Sequence, residues 1–394
     1  MDPAADSAAT IAATWRPGVI DLGPGHPSTD LLPLELLRSA AWGALADDPS
    51  ILQYGAEQGS ERFRRQLAAV LETETGVATD PDALFVTGGA SQALDILCTL
   101  YTRPGQTVLV AEPTYFLALR VFADRGLNVV PVPCDEHGPL PEALEAALAA
   151  HRPALFYLVP IFGNPTGVTL TAERRAAVVE LTAGTGTLVV ADEVYRLLQF
   201  EGRSAASLAG EGREHVVSLN SFSKTLGPGL RLGWFAGSEA VIGRVRASGF
   251  LRSGGGLNPL VAILVGELLA DGRFSDHVRN LRRAYAQRAG ALAAALREHV
   301  PELAFDEPRG GYFIWARLPG VGAERLRGPA REAGADFAPG AAFSAGGGFS
   351  DHLRLSFSRY APEELAEGAR RLGAAVDAAV NAAVRTATRA AQAL

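Results

Sequence analysis

The chain has 394 residues, 48% of them hydrophobic and 20% charged, which supplies a large core and suits two or three domains of ordinary size. A formal net charge of -7 speaks against a nucleic-acid-binding surface, which needs a basic balance, and no apolar run is long enough to span a membrane. Cys98 and Cys134 lack metal-ligand spacing, and acidic Asp2 and Asp6 stand where a secretory leader would be basic, so the chain reads as a reduced, cytoplasmic protein.

Up to about Trp15 the residues are small and polar, which predicts a flexible or partner-docking arm. Short apolar runs rich in β-branched residues then recur at Leu84–Val86, Thr107–Val110, Asn128–Val130, Leu155–Val159, Thr187–Val190, Val216–Val217 and Trp234–Ala236. Most are continuous rather than alternating, as in strands covered on both faces. Helical stretches at Ser91–Leu100, Thr114–Arg125, Pro141–His151 and Ala172–Ala183 separate many of them. This alternation predicts an α/β domain around a mostly parallel sheet. Its loops at the strand C-termini line one edge, where ligands bind. After about residue 275 the pattern changes. A helix over Asp276–Glu298 precedes the nearly alternating runs Gly311–Trp315 and Leu353–Phe357, and an Ala-rich helix begins near Pro362. Leu365, Leu372, Val376 and Val380 recur there at helical spacing, so this helix packs on a smaller α+β unit.

Polar residues follow successive predicted strands. Thr87-Gly88-Gly89-Ala90-Ser91-Gln92 opens a helix, so its backbone N–H groups suit an anion, although a plain glycine turn explains it equally well alone. In Glu112-Pro113-Thr114-Tyr115, Tyr115 is either a core tyrosine at a helix start or a platform for a planar ring. Gly163-Asn164-Pro165-Thr166-Gly167 is a turn in which Asn164 can donate to a phenolate-like oxygen. In Ala191-Asp192-Glu193-Val194-Tyr195, Asp192 is either an exposed helix cap or a buried carboxylate that needs a partner, such as a protonated pyridine nitrogen. Last, Ser221-Phe222-Ser223-Lys224 and Arg231 lie between two apolar runs. A buried ammonium readily loses its proton and forms Schiff bases. Two hydroxyls and an arginine beside it suit the phosphate of a carbonyl-bearing cofactor. Ser221 as the nucleophile of a Ser-x-x-Lys acyl-transfer enzyme is the rival reading, but the companion Ser-Asp-Asn and Lys-Thr-Gly motifs are missing.

Further motifs extend the pattern: Gly23-Pro24-Gly25-His26-Pro27-Ser28, Leu52-Gln53-Tyr54-Gly55, Gly310-Gly311-Tyr312-Phe313 and Arg354-Leu355-Ser356-Phe357-Ser358. With them the chain resembles the class I/II aminotransferases of the fold-type-I pyridoxal-phosphate enzymes, in the branch of 2-aminoadipate and kynurenine aminotransferases. The resemblance covers nearly the whole chain, and its motifs are specific in combination. It implies pyridoxal 5'-phosphate as cofactor and a three-layer large domain around a mostly parallel seven-stranded sheet, with a smaller α+β domain. The implied division is an arm and part of the small domain over 1–45, a large cofactor-binding domain over 46–280 and a small domain over 281–394.

The resemblance also implies roles. Lys224 would hold the cofactor as a Schiff base and then move the substrate proton. Asp192 would pair with the pyridine nitrogen, Asn164 and Tyr195 would bind the ring oxygen, and Tyr115 would stack on the ring. Gly89, Ala90, Ser91, Ser221, Ser223 and Arg231 would hold the phosphate. Tyr54 would reach the phosphate of the other subunit's site, so a homodimer with shared sites is implied. Arg354 would clamp the substrate α-carboxylate, and Gly25 and Asn164 would line the substrate pocket. The implied reaction moves the amino group of an L-amino acid to a 2-oxo acid, with neither nucleic acid nor membrane as partner. The alternative is β- or γ-elimination, replacement or cyclisation, for example of S-adenosylmethionine, through the same carbanion. A regulator's effector domain of this fold would carry a winged-helix segment, which this sequence lacks. Ala90 removes a hydroxyl that relatives often have, and Gly163 stands where they often have a larger polar residue, which predicts extra space beside the cofactor. Ser253-Gly254-Gly255-Gly256-Leu257-Asn258 falls near the expected dimer interface without a role, and Arg16 is read as a surface salt bridge before a contact to a distal carboxylate.

Overall fold

In the computed structural model, which describes residues 16–45, 49–211 and 214–392, the apolar runs form one large sheet. The predicted arm up to Trp15 lies outside these residues. Strand β1 (Ile20–Asp21) and helices α1 (Leu34–Ala44) and α2 (Glu61–Thr75) lead in. The alternation follows: β2 (Leu84–Thr87), α3 (Ala90–Tyr101), β3 (Thr107–Glu112), α4 (Phe116–Asp124), β4 (Asn128–Asp135), β5 (Gly138–Pro139) and α5 (Pro141–His151). It continues through β6 (Leu155–Leu158), α6 (Ala172–Thr182), β7 (Leu188–Asp192), β8 (Val216–Ser221), β9 (Gly233–Ala236) and α7 (Glu239–Arg246). The strand order is β2-β9-β8-β7-β6-β3-β4-β5. All seven predicted strands are present, and the two-residue β5, antiparallel to β4, adds an eighth at the edge. Strands β4, β3, β6, β7 and β8 run parallel, while β9 runs against both β8 and β2. The C-terminal ends of β2, β3, β6, β7 and β8 therefore share one edge.

Every residue of β2, β6, β7 and β8 is buried, because helices cover both faces. Tyr157, Val190 and Val217 point to the layer of α3, α4 and α7, whereas Phe156, Val189 and Val216 point to that of α5 and α6. Each such side chain contributes about 1.5–3 kcal/mol by leaving water. A continuous apolar run thus serves two cores at once, which is why these strands do not alternate in hydrophobicity.

Helices α8 (Gly249–Gly254), α9 (Pro259–Ala270) and α10 (Arg273–His299) lead out of the sheet. The smaller unit adds β10 (Ala304–Phe305), β11 (Phe313–Arg317), α11 (Ala323–Glu332), β12 (Ala335–Asp336), β13 (Ala338–Pro339), β14 (His352–Ser356) and α12 (Pro362–Gln392). Its antiparallel sheet has the order β10-β11-β14-β13, and β1 pairs in parallel with β12. Leu365, Leu372 and Val376 of α12 are buried in a core shared with α10, as their spacing predicts; the side chain of Val380 lies outside the described residues. Cys98 and Cys134 are free thiols, pushed by burial up to about 12 and so unreactive near neutrality. Among the described residues no helix is long and apolar enough to cross a membrane.

Candidate active site

The shared strand edge forms the floor of a cavity of about 950 Å³. Asp192 ends β7, and Lys224 closes the single 3-10 turn that follows β8. Ser221 Oγ accepts from Ser223 N at 3.1 Å and donates to Ser223 Oγ at 2.9 Å, which caps that turn. Lys224 Nζ donates to the Gly25 carbonyl at 3.1 Å and lies 5.6 and 5.4 Å from the ring centres of Tyr195 and Tyr312. Tyr312 in turn donates its hydroxyl to the Lys224 carbonyl at 2.8 Å. Desolvation and the positive charge of Arg354 push the Lys224 ammonium down to about 8, against the pull of Asp192.

Asp192 is only 7% exposed, so it is not a solvent-facing cap. Burial pushes its carboxyl up to about 6, opposed by a hydrogen bond from the Tyr157 hydroxyl to Oδ2 at 2.8 Å and a longer one from Val194 N to Oδ1 at 3.4 Å. Sequence reasoning passed over Tyr157. The one signal was a hydroxyl inside an apolar strand covered on both faces, where it must find a partner.

Asn164 presents its amide to the Tyr195 hydroxyl, and its Oδ1 accepts from an Arg354 terminal nitrogen at 2.7 Å. Burial raises the phenols of Tyr115 and Tyr195 well above their ordinary range. Arg354 sits on β14 and donates a second hydrogen bond to the Gly23 carbonyl. Its guanidinium lies 4.2 Å from the Phe313 ring centre and 4.6 Å from that of Phe343, and its Nε is buried with no partner among the described residues. Burial lowers it to about 10, which leaves it charged at neutral pH. Gly25 lines the cavity where a Cβ would come within 2.5 Å of the Phe313 ring, so only glycine fits.

Ala90, Ser91, Ser221, Ser223, Arg231 and Tyr115 also line the cavity. The Ala90 and Ser91 N–H groups are in the first turn of α3, where no intrahelical acceptor exists. Gly89 precedes them with a φ of 100°, and a Cβ there would press on the Arg231 guanidinium at 2.9 Å. Arg231 donates to the Gly88 carbonyl at 2.9 Å.

Two expectations change, at Gly163 and Arg16. Gly163 does not line the cavity; it packs in its own turn, where a Cβ would meet the Val159 carbonyl at 3.0 Å and Thr166 Oγ1 at 3.1 Å, so it opens no space beside a cofactor. Arg16 lines the cavity and has no ion-pair partner among the described residues, in place of the surface salt bridge. Tyr54, expected at the other subunit's site, is 83% exposed and does not line its own chain's cavity. All the other predicted site residues meet there or, as Gly89 does, touch one that lines it.

A lysine of lowered basicity and a buried carboxylate share one floor, with an Asn–Tyr pair and a helix-terminal N–H cradle lining the same cavity. This donor set fits a phosphorylated pyridine aldehyde. The sequence pattern of class I and II aminotransferases matches residues 17–372. The chain belongs to that family. This aminotransferase is 36% identical over 376 residues to the 2-aminoadipate transaminase of Thermus thermophilus, an alignment covering 93% of this chain and 92% of the relative. Two solved structures are similar in fold. The alpha-aminoadipate aminotransferase of Thermus thermophilus, complexed with N-(5'-phosphopyridoxyl)-L-leucine, has a TM-score of 0.83 at 34% identity, covering 93% of this chain and 94% of that one. The kynurenine aminotransferase of Pyrococcus horikoshii has a TM-score of 0.85 at 29% identity, covering 91% of each chain. The protein is a pyridoxal-phosphate-dependent aminotransferase of fold type I, and amino-group transfer is favoured over elimination or cyclisation.

Proposed function

We propose that this aminotransferase moves the amino group of an L-amino acid to a 2-oxo acid with Lys224 as the proton carrier. The observation that carries the reading is a lysine, its Nζ on the Gly25 carbonyl at 3.1 Å, lining the same cavity as the buried Asp192 carboxylate. When bound, pyridoxal phosphate supplies a carbonyl that condenses with amines and a ring that accepts the electron pair released from the substrate Cα–H bond. With the cofactor bound, Lys224 Nζ, lowered in basicity by burial and by Arg354, would take up the substrate Cα proton and act as its carrier. Asp192 would keep the ring nitrogen protonated, Asn164 and Tyr195 would hold the ring oxygen, and Tyr115 would stack on the ring. Arg354 holds the α-carboxylate, while Phe313 and Phe343 keep water from that ion pair. Gly89, Ala90, Ser91, Ser221, Ser223 and Arg231 hold the phosphate.

We place Tyr54 at the partner's phosphate in a homodimer. Its exposure supports this, as do the nearby exposed apolar side chains of Leu34, Trp42, Leu52 and Phe250. The division at about residue 280 is supported by α10: Phe274 and Val278 pack with α2 and α9, and Leu281 onward with the smaller unit. A cytoplasmic location suits the two free thiols.

The test mixes holoenzyme with a panel of L-amino acids, without acceptor, and measures products. For the right donor we expect one 2-oxo acid and one pyridoxamine phosphate per site. Release of ammonia or an elimination product from every reactive donor, with the cofactor still in its aldehyde form, would overturn the reading.

A further inference from the structure

The Gly-rich run Ser253–Asn258 has no part in the chemistry, yet it touches two phosphate-directed segments at once. On one side, Gly256 N donates to the Gly55 carbonyl at 3.0 Å. A Cβ at Gly255 would meet that same carbonyl at 2.7 Å, and one at Gly256 would meet the Ala56 carbonyl at 2.2 Å. This close backbone approach seats the segment that carries Tyr54. On the other side, Asn258 Nδ2 donates to the Leu230 carbonyl at 2.9 Å and to the Arg231 carbonyl at 2.6 Å. Arg231 needs such support. Its φ of 46° is left-handed, which is unfavourable for a residue with a side chain, and that turn aims its guanidinium back over Gly88.

We infer that the turn from Ser253 to Pro259 is a brace for cofactor-phosphate binding. Asn258 is the positioning residue for Arg231, and Gly255–Gly256 seat Tyr54. Asn258 does not line the cavity; it fixes the backbone from which Arg231 projects. Because one short turn holds both Arg231 and Tyr54, the brace ties a chain's own phosphate site to the residue it lends its neighbour. The inference rests on the proposed role of Arg231 at the phosphate.

The test compares affinity for pyridoxal phosphate with affinity for pyridoxal, which lacks the phosphate, by absorbance titration of the wild type, Asn258→Gly, Asn258→Asp and Arg231→Ala. Asn258 itself has a φ of 50°, which glycine and aspartate both tolerate, so these variants remove the amide donors and keep the turn. In both we expect pyridoxal phosphate affinity to fall about tenfold, with pyridoxal affinity unchanged. Equal losses for the two ligands would mean a general structural role and overturn the brace. So would a selective loss in Arg231→Ala with none in either Asn258 variant. Absence of a selective loss in Arg231→Ala would instead overturn the phosphate reading beneath it. Gly256→Ala, read the same way, should lose phosphate selectivity through the Tyr54 segment; unchanged selectivity would remove that half of the brace.

Discussion

Two cations line one cavity from two structural units, and desolvation treats them differently. Lys224 rises from the edge of the large sheet and is pushed to about 8, within reach of a neutral amine under physiological conditions. Arg354 comes from β14 of the smaller unit, only 4% exposed, and at about 10 it keeps its charge. The difference lies in the groups themselves. An ammonium is a compact, strongly hydrated charge, whereas a guanidinium is delocalised and stacks on rings such as Phe313 and Phe343. Placing the labile cation on the rigid sheet and the permanent one on the smaller unit separates proton transfer from carboxylate binding. The Arg354 charge also raises the cost of charging Lys224, as the second cause of its lowered basicity after burial.

Removing the labile cation should have the largest effect. Lys224→Ala is expected to lower turnover by about 10⁴-fold or more, the worth of a proton carrier combined with a covalent attachment point. Steady-state kinetics and mass analysis after borohydride reduction check both losses, and retained turnover would break the division of labour. In the wild type the rate of covalent capture of pyridoxal phosphate by the apoprotein should rise with pH through about 8, because only the neutral amine attacks the aldehyde. A capture rate flat between about pH 6.5 and 9 would refute the lowered basicity.

Removing the permanent cation comes next. Arg354→Ala should lower kcat/KM for amino acids by about 10²-fold, mostly through KM, since truncating one side of a buried ion pair costs about 2–5 kcal/mol. Arg354→Lys should recover little of it, because an ammonium cannot make two parallel bonds to a carboxylate. An unchanged KM in Arg354→Ala would remove the clamp.

The two units also differ in how far they were legible beforehand. On the sheet side, a strand covered on both faces must be a continuous apolar run, so the first polar residue after it stands at the edge. Asp192 and Asn164 were found that way, and Lys224 as a cation in the turn between two apolar runs. Arg354 sits within β14, flanked by apolar residues, and neither period nor spacing pointed to its role; the resemblance of the surrounding motif did. Gly163 misled because a small residue can mean open space or close packing, and here the Val159 carbonyl fills the space. Asn258 and Gly256 were visible only as a flexible-looking run, since their function is carried by backbone contacts to residues 230–231 and 55–56, which a linear sequence does not bring together.

Tyr157 shows the same limit with the smallest effect. It lies mid-strand in β6 among apolar neighbours, and its partner Asp192 is 35 residues away on β7. Tyr157→Phe deletes the hydroxyl and little volume, so packing is preserved. The lost bond goes to a carboxylate that burial already pushes to about 6. Since the hydroxyl favours the ionised form, its removal should raise that value further. The stability cost should therefore depend on pH: about 1.5–3 kcal/mol at about pH 8, where Asp192 is ionised and loses a charge-assisted donor, and clearly less at about pH 5, where the protonated carboxyl asks less of it. Urea denaturation of the apoprotein at the two pH values measures the difference. A cost equal at both would mean that Tyr157 only fills space, and that the carboxylate facing Lys224 is held in its ionised form by something other than this hydroxyl.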